Sequence, residues 1–165
     1  MVRFILVLAF LCMPFFYVQD GLAAMLPAPE YNKTVAEDIA AFSWAKVVFR
    51  AKPPAGEAIL RFFAYQYFEN ASPLAIAVNG HVREYSSEND KGKFSWREVR
   101  FPGAWLVNGA NEIVFRSDNR SACTWAVAVE HSDNPQGSSK SADRGKTWYA
   151  KTLGYNYSIV GQYAV

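Results

Sequence analysis

Short runs of β-branched and aromatic residues recur from residue 42 to the end of the sequence, separated by proline, glycine or polar clusters. These stops recur about every 8–12 residues, which is the length of one strand with its turn. No long segment repeats its apolar residues with the 3.6-residue period of a helix. The pattern therefore favours an all-β domain, either a sandwich or a barrel, built around one core.

The clearest local signal in the sequence is a β-hairpin at Asn79-Gly80, because a type I′ turn needs two residues that accept positive φ. Thr34 and Glu37 have capping-box spacing, which predicts one or two helical turns within residues 32–41. Strands are predicted at residues 42–52, 58–68, 94–101, 111–118, 123–130 and 157–165, with the hairpin at 73–85.

The N-terminal segment is typical of a signal peptide. Arg3 precedes an apolar run over residues 4–18, which is shorter than the about 20 residues that a bilayer span needs. Small residues follow, and we predict cleavage after Ala23. An uncleaved anchor and a buried first element are the alternatives. Residues 1–23 are thus expected to be removed, which predicts a secreted or periplasmic protein without a membrane association.

Two further segments follow the predicted signal peptide, an N-terminal arm at residues 24–41 and one β-sandwich domain at residues 42–165. The formal net charge is only +2, and lysine and arginine are scattered, so nucleic acid is not expected as a partner. Signal cleavage would remove Cys12 and leave Cys123 without an intrachain disulfide partner.

Near the C-terminal end, Ser141, Asp143, Gly145 and Trp148 form the pattern S-x-D-x-G-x-x-W. The serine and aspartate side chains can bond the backbone of a turn, and the glycine accepts positive φ. The pattern resembles the Asp-box, a β-hairpin turn that recurs in sialidases and other secreted β proteins. This resemblance implies a structural clamp in an exported protein that deals with polysaccharides or glycoproteins, and it does not imply catalysis.

A second resemblance rests on positions that share a structural role at strand ends and turns. They are Val78-Asn79-Gly80, Pro102, Leu106, Gly109, Asn111 and Ile113 to Arg116. Their order is similar to that of the galactose-binding-like jelly roll found in carbohydrate-binding modules and in sugar-binding domains of glycoside hydrolases. This resemblance covers about residues 42–165 and implies a jelly-roll β-sandwich that binds carbohydrate, with function carried over by analogy.

The motifs for catalysis are missing from the sequence. There is no G-x-S-x-G elbow and no Walker loop, and His81 and His131 lack the spacing of a zinc site. We therefore expect no enzymatic activity, although a hydrolase with two facing carboxylates is a further alternative. No cofactor is predicted. A structural calcium ion is possible at residues 87–92 or 117–119, but no ligands are assigned to it.

The strand at residues 58–68 alternates two faces, with Arg61, Phe63, Tyr65 and Tyr67 on one of them. Either the strand is buried on both sides, or this face is part of a sugar-binding platform. The predicted ligand-binding residues are Arg61, Tyr65, Tyr67, His81, Arg83 and Trp96.

Together, these features predict a secreted, non-catalytic carbohydrate-binding module that recognises a glycan by aromatic stacking and hydrogen bonds. A larger multidomain secreted protein that contains this chain is one expected context. The alternative is a structural or protein-interaction accessory domain of a larger secreted hydrolase or peptidase.

Overall fold

The computed structural model describes residues 35–68, 71–86, 92–119, 123–133, 137–154 and 159–165. The predicted signal peptide, its cleavage site and most of the predicted arm lie outside these residues. The described part of the chain is all-β, with a single 3-10 turn at Gly103–Trp105. Its strands are β1 (Val35–Ile39), β2 (Trp44–Ala51), β3 (Glu57–Gln66), β4 (Leu74–Val78), β5 (His81–Tyr85), β6 (Phe94–Pro102), β7 (Gly109–Arg116), β8 (Trp125–His131), β9 (Ser138–Ser141) and β10 (Gly161–Tyr163).

These strands form two antiparallel sheets, which we call sheet A and sheet B. Sheet A has the order β1-β8-β3-β6, and β10 also pairs with β8. Sheet B has the order β5-β4-β7-β2-β9. Among the described strands, every connection except the β4–β5 hairpin passes from one sheet to the other. The result is a β-sandwich, in agreement with the all-β prediction.

The core lies between the two sheets because strands of both sheets place alternate residues inward. In sheet A, Phe62 and Trp125 are fully buried, and in sheet B so are Ile76 and Phe115. Burial of a side chain of this size stabilises the fold by about 1.5–3 kcal/mol.

The predicted β4–β5 hairpin is confirmed. Asn79 has φ of 49° and Gly80 has φ of 86°, as a type I′ turn requires. Behind the turn, the Asn79 Nδ2 group donates to Asn111 Oδ1 at 2.8 Å. Asn111 also accepts a hydrogen bond from Val107 N at 2.8 Å and donates to Gly109 O at 2.9 Å. This side chain thus pairs backbone groups where β7 begins, as its position in the sequence predicts.

The predicted helical turn at residues 32–41 is wrong, because Val35–Ile39 is strand β1. All of its residues pair with β8, from Val35 opposite Val129 to Ile39 opposite Trp125. The capping-box signal is local, and pairing with a buried neighbouring strand overrides it. Sheet A therefore begins inside the range predicted as an N-terminal arm.

Two strand ends also differ from the prediction. β3 stops at Gln66, although the strand was predicted to continue to residue 68, and Phe68 is 54% exposed. The last strand covers only Gly161–Tyr163, and residues 155–158 lie outside the described part. None of the described residues forms a helix that is long and apolar enough to cross a membrane.

Candidate functional site

The outer face of sheet A carries a continuous row of aromatic rings, which we call the aromatic face. It consists of Phe63, Tyr65, Tyr67, Phe68, Phe94 and Trp96. The register of β3 and β6 places Phe63 opposite Trp96 and Tyr65 opposite Phe94. Side chains directly opposite one another on one face of a sheet are in contact, so the pairing of two strands builds the row.

Each ring in the row contacts the next one. Phe63 lies 5.3 Å from Trp96 and 5.6 Å from Phe94 between ring centroids. Tyr65 lies 5.2 Å from Phe94 and 4.9 Å from Tyr67, the latter in an edge-on arrangement. These distances fall in the range of about 4.5–7 Å at which aromatic pairs attract. The rings therefore hold one another in place before any ligand arrives.

Exposure increases along the row. Phe63 is 2% exposed and packs with Ala128 and Ala164 in a small cluster outside the main core. Tyr65, Phe94 and Trp96 are half-buried. Tyr67 is 41% exposed and Phe68 is more open still. The aromatic face is thus buried at Phe63 and accessible at Tyr67 and Phe68.

A charged group continues the same face beyond Phe63. Arg61 Nε donates to Glu98 Oε2 at 3.3 Å, and Arg100 Nη2 donates to Glu98 Oε1 at 2.9 Å. Glu57 lies 3.9 Å from Arg100. Two guanidinium groups and two carboxylates balance in charge, and the guanidinium groups keep further N–H donors. This end can form hydrogen bonds without attracting a net charge.

The opposite end of the face is fixed by Asp38 on β1. The Tyr67 hydroxyl donates to Asp38 Oδ1 at 2.7 Å. Burial, together with this hydrogen bond, raises the pKa of Tyr67, so the hydroxyl stays protonated at neutral pH. Burial and the neighbouring Asp38 also raise the pKa of the Cys123 thiol. Both groups are therefore neutral next to the exposed end of the row.

The structure brings together four of the six predicted ligand-binding residues. Arg61, Tyr65, Tyr67 and Trp96 all lie on the outer side of sheet A. His81 and Arg83 lie on β5, at the edge of sheet B, and do not join them. The exposed His81 ring stacks instead on Trp105, with 5.2 Å between the centroids.

Phe94, Phe68 and Asp38 complete the face, although the sequence prediction missed them. Phe94 has the same strand parity as Trp96, and that signal was sufficient to include it. Phe68 and Asp38 had no such signal, because one lies past a strand end and the other belongs to a strand predicted as helix.

The S-x-D-x-G-x-x-W segment forms a tightly bonded turn next to β9. Ser141 Oγ donates to Asp143 Oδ1 at 2.8 Å and accepts from Gly145 N at 2.8 Å. Asp143 accepts from Thr147 N at 2.9 Å and from Thr147 Oγ1 at 2.7 Å. Gly145 has φ of 77°, a conformation that favours glycine. The serine and aspartate side chains form their hydrogen bonds within the turn itself, as the sequence predicts.

Among the described residues, no group of three or more histidine, cysteine, aspartate or glutamate side chains is placed to hold a metal ion. Of the two segments considered for calcium, residues 87–91 lie outside the described part. In the other segment, residues 117–119, the Ser117 hydroxyl forms a hydrogen bond with the Thr124 hydroxyl, with 3.1 Å between the two oxygens.

No protein-family model matches this chain, and no match was found among curated proteins or among solved structures.

Proposed function

We propose that the protein is a non-catalytic carbohydrate-binding module that holds a neutral glycan on the aromatic face of sheet A. The observation that carries the proposal is a row of contacting rings on one sheet surface, exposed at one end and continued by paired charges at the other. Aromatic rings stack on the C–H faces of sugars, while arginine, carboxylate and amide groups bond the hydroxyls. The charge balance of Arg61, Arg100, Glu57 and Glu98 favours a neutral glycan over an ionic one.

The dimensions of the face suit an oligosaccharide rather than a single sugar. From Arg61 to Tyr67 the face spans about 20 Å along the strand direction, at a rise of about 3.3 Å per residue. The surface is a sheet face and not a deep pocket, so a ligand would lie along it. Contacts of this kind leave much of the ligand in solvent, and modest affinity is expected at each site.

We further propose that the sandwich is a jelly roll of the galactose-binding-like kind, with the turn of Ser141 to Trp148 acting as an Asp-box. The proposal is supported by a chain that alternates between sheets, by the Asn79-Gly80 hairpin and by the hydrogen bonds of Asn111. A carbohydrate-binding role also agrees with export to a secreted or periplasmic location, which the N-terminal sequence predicts.

The proposal is tested by measuring the binding of neutral oligosaccharides and polysaccharides to the full chain and its variants. Tyr67→Ala is expected to weaken binding at least about fivefold, the factor that corresponds to about 1 kcal/mol. Tyr67→Phe keeps the ring and is expected to retain most of the affinity. Phe42→Ala is the control, because this aromatic ring is also exposed but packs against Arg144 and belongs to neither the aromatic face nor its charged end.

A folded protein that binds none of a broad panel of neutral glycans would contradict the proposal. Equal losses in Tyr67→Ala and Phe42→Ala would contradict the location of the site. Capture of a protein ligand on the same face, without glycan binding, would instead support the alternative of a protein-interaction domain.

A further inference from the structure

An open depression of about 410 Å³ lies beside the turn of Ser141 to Trp148, at the edge of sheet B. Its volume is within the range of about 300–1,000 Å³ that is typical of small-ligand sites. It is lined by Lys140, Trp148, Tyr149, Ala150, Lys151 and Thr152. Two aromatic residues and two lysines thus line one cavity, and none of these residues belongs to the aromatic face.

The walls of the depression are held by backbone pairing. Lys140 and Tyr149 exchange two hydrogen bonds, 2.9 Å from Lys140 N and 2.8 Å from Tyr149 N. Lys46 Nζ lies 4.1 Å from the centroid of the Trp148 ring and covers one of its faces. Tyr149 is 58% exposed, so its ring offers the accessible aromatic surface. A ligand therefore meets a preformed wall with one free ring.

The electrostatic character of this region is positive. Between residues 138 and 154 the chain has four basic residues, Lys140, Arg144, Lys146 and Lys151, and one acidic residue, Asp143. Both Asp143 oxygens already accept hydrogen bonds within the turn. The Lys140 ammonium lies 3.6 Å from buried Glu37 and donates to Gly154 O at 3.0 Å, which leaves it one N–H donor. Lys151 is exposed and forms no ion pair with any described residue.

We propose that this depression is a second binding site and that it takes an anionic sugar residue. The carboxylate or sulfate group of the sugar pairs with Lys151 and with the remaining donor of Lys140, while a C–H face of the sugar ring stacks on Tyr149. An ammonium group beside an aromatic ring matches a ligand that combines charge with an apolar surface. The site does not depend on the function proposed for sheet A.

The test compares four probes on the full chain: a uronic-acid oligosaccharide, its neutral methyl ester, a sulfated oligosaccharide of the same length and an acidic peptide. Binding of the uronate or of the sulfated probe supports the proposal. If the uronate binds, its methyl ester is expected to bind at least about tenfold more weakly. The two charged probes separate carboxylate from sulfate as the source of the anion. Lack of binding by both, or equal binding of the ester and the uronate, overturns it. Binding of the peptide alone replaces the sugar with a protein ligand and also overturns it.

Variants locate the site. Lys151→Gln is expected to weaken binding of the preferred anionic sugar about tenfold, and Lys151→Arg is expected to restore it. Tyr149→Ala is expected to weaken binding of the sugar more than that of free sulfate, because only the sugar stacks on the ring. Lys52→Gln removes an exposed charge from the β2–β3 connection and serves as the control. Equal effects of Lys52→Gln and Lys151→Gln would show only non-specific charge attraction and would overturn the assignment.

Failure of this second site is distinguishable from failure of the first. Tyr67→Ala is expected to leave anionic-sugar binding unchanged, whereas Lys151→Gln is expected to leave neutral-glycan binding unchanged.

Discussion

The carboxylate of Glu37 in sheet A reaches the ammonium of Lys140 in sheet B, with 3.6 Å between Oε2 and Nζ. Glu37 is 4% exposed, and its Oε2 also accepts a hydrogen bond from Gly154 N at 2.7 Å. The ion pair links the two sheets on the side of the sandwich where the depression lies. One buried carboxylate thus connects an edge strand of each sheet and the segment that follows the turn.

Replacing Glu37 by alanine is expected to lower the free energy of unfolding by about 1–3 kcal/mol, because Gly154 N–H and Lys140 lose their acceptor. Urea denaturation monitored by tryptophan fluorescence measures this change. Glu57→Ala, which removes an exposed carboxylate, is expected to have an effect within about 0.5 kcal/mol. Equal stability of Glu37→Ala and the wild type would contradict the role given to the pair.

Glu37 also predicts a pH dependence. Burial raises its pKa above 4.5 despite the opposing effects of Gly154 and Lys140. A raised pKa in the folded state means that the stability contributed by this group is complete below the unfolded-state pKa of about 4.3 and declines as pH rises through the folded-state value. Glu37→Gln is expected to remove this decline. Urea unfolding of the wild type and of Glu37→Gln from about pH 4 upward tests this prediction. Parallel pH dependences of the free energy of unfolding in the two proteins would contradict it.

Asp143 predicts a pH dependence of opposite sign. Hydrogen bonds from the Thr147 side chain and backbone, and from Ser141, lower the pKa of this exposed carboxyl to about 2. Its contribution is present above the unfolded-state pKa of about 3.9 and is lost as pH falls towards about 2. Local opening of the turn, followed by the indole NMR signal of Trp148, is expected over this range. Asp143→Asn is expected to lack the transition, while Asp118→Asn is expected to retain it.

Removing the buried amide of Asn111 is expected to lower the free energy of unfolding strongly. Asn111→Ala leaves Val107 N–H and one of the two N–H groups of the Asn79 amide without an acceptor, at an expected cost of about 2–4 kcal/mol. Thermal unfolding measures the loss.

At the turn itself, Asn79→Gly and Asn79→Ala remove the same hydrogen bonds, but only glycine accepts the positive φ without strain. Alanine is therefore expected to be the less stable of the two, and the reverse order would contradict this explanation.

The sequence predicted those features of the fold that depend on nearby residues. The Asn79-Gly80 turn and the alternating faces of β3 follow from backbone conformation and strand parity, and both are confirmed. β1 was missed because Thr34 and Glu37 imitate a helix start. The burial of Glu37 depends on Lys140 and Gly154, which lie far away in the chain.

The candidate site was predictable along one strand but not across strands. Parity alone placed Arg61, Tyr65 and Tyr67 together, since the first two lie on β3 and Tyr67 directly follows its last residue. His81 and Arg83 were grouped with them by residue type, and only the pairing of β5 with β4 shows that they belong to sheet B. The depression was missed for a related reason, because Lys140 and Lys151 face one cavity only after the bridge between Lys140 and Tyr149 forms.

Three of the five tryptophans lie in separate parts of the molecule, which makes their indole NMR signals the most direct test of the central proposal. Trp96 lies on the aromatic face, Trp125 in the core and Trp148 beside the depression. On titration of the full chain with a neutral oligosaccharide that it binds, the signal of Trp96 is predicted to shift while those of Trp125 and Trp148 stay unchanged. Saturable binding that leaves the Trp96 signal in place, or that moves the Trp148 signal instead, would contradict a glycan site on sheet A.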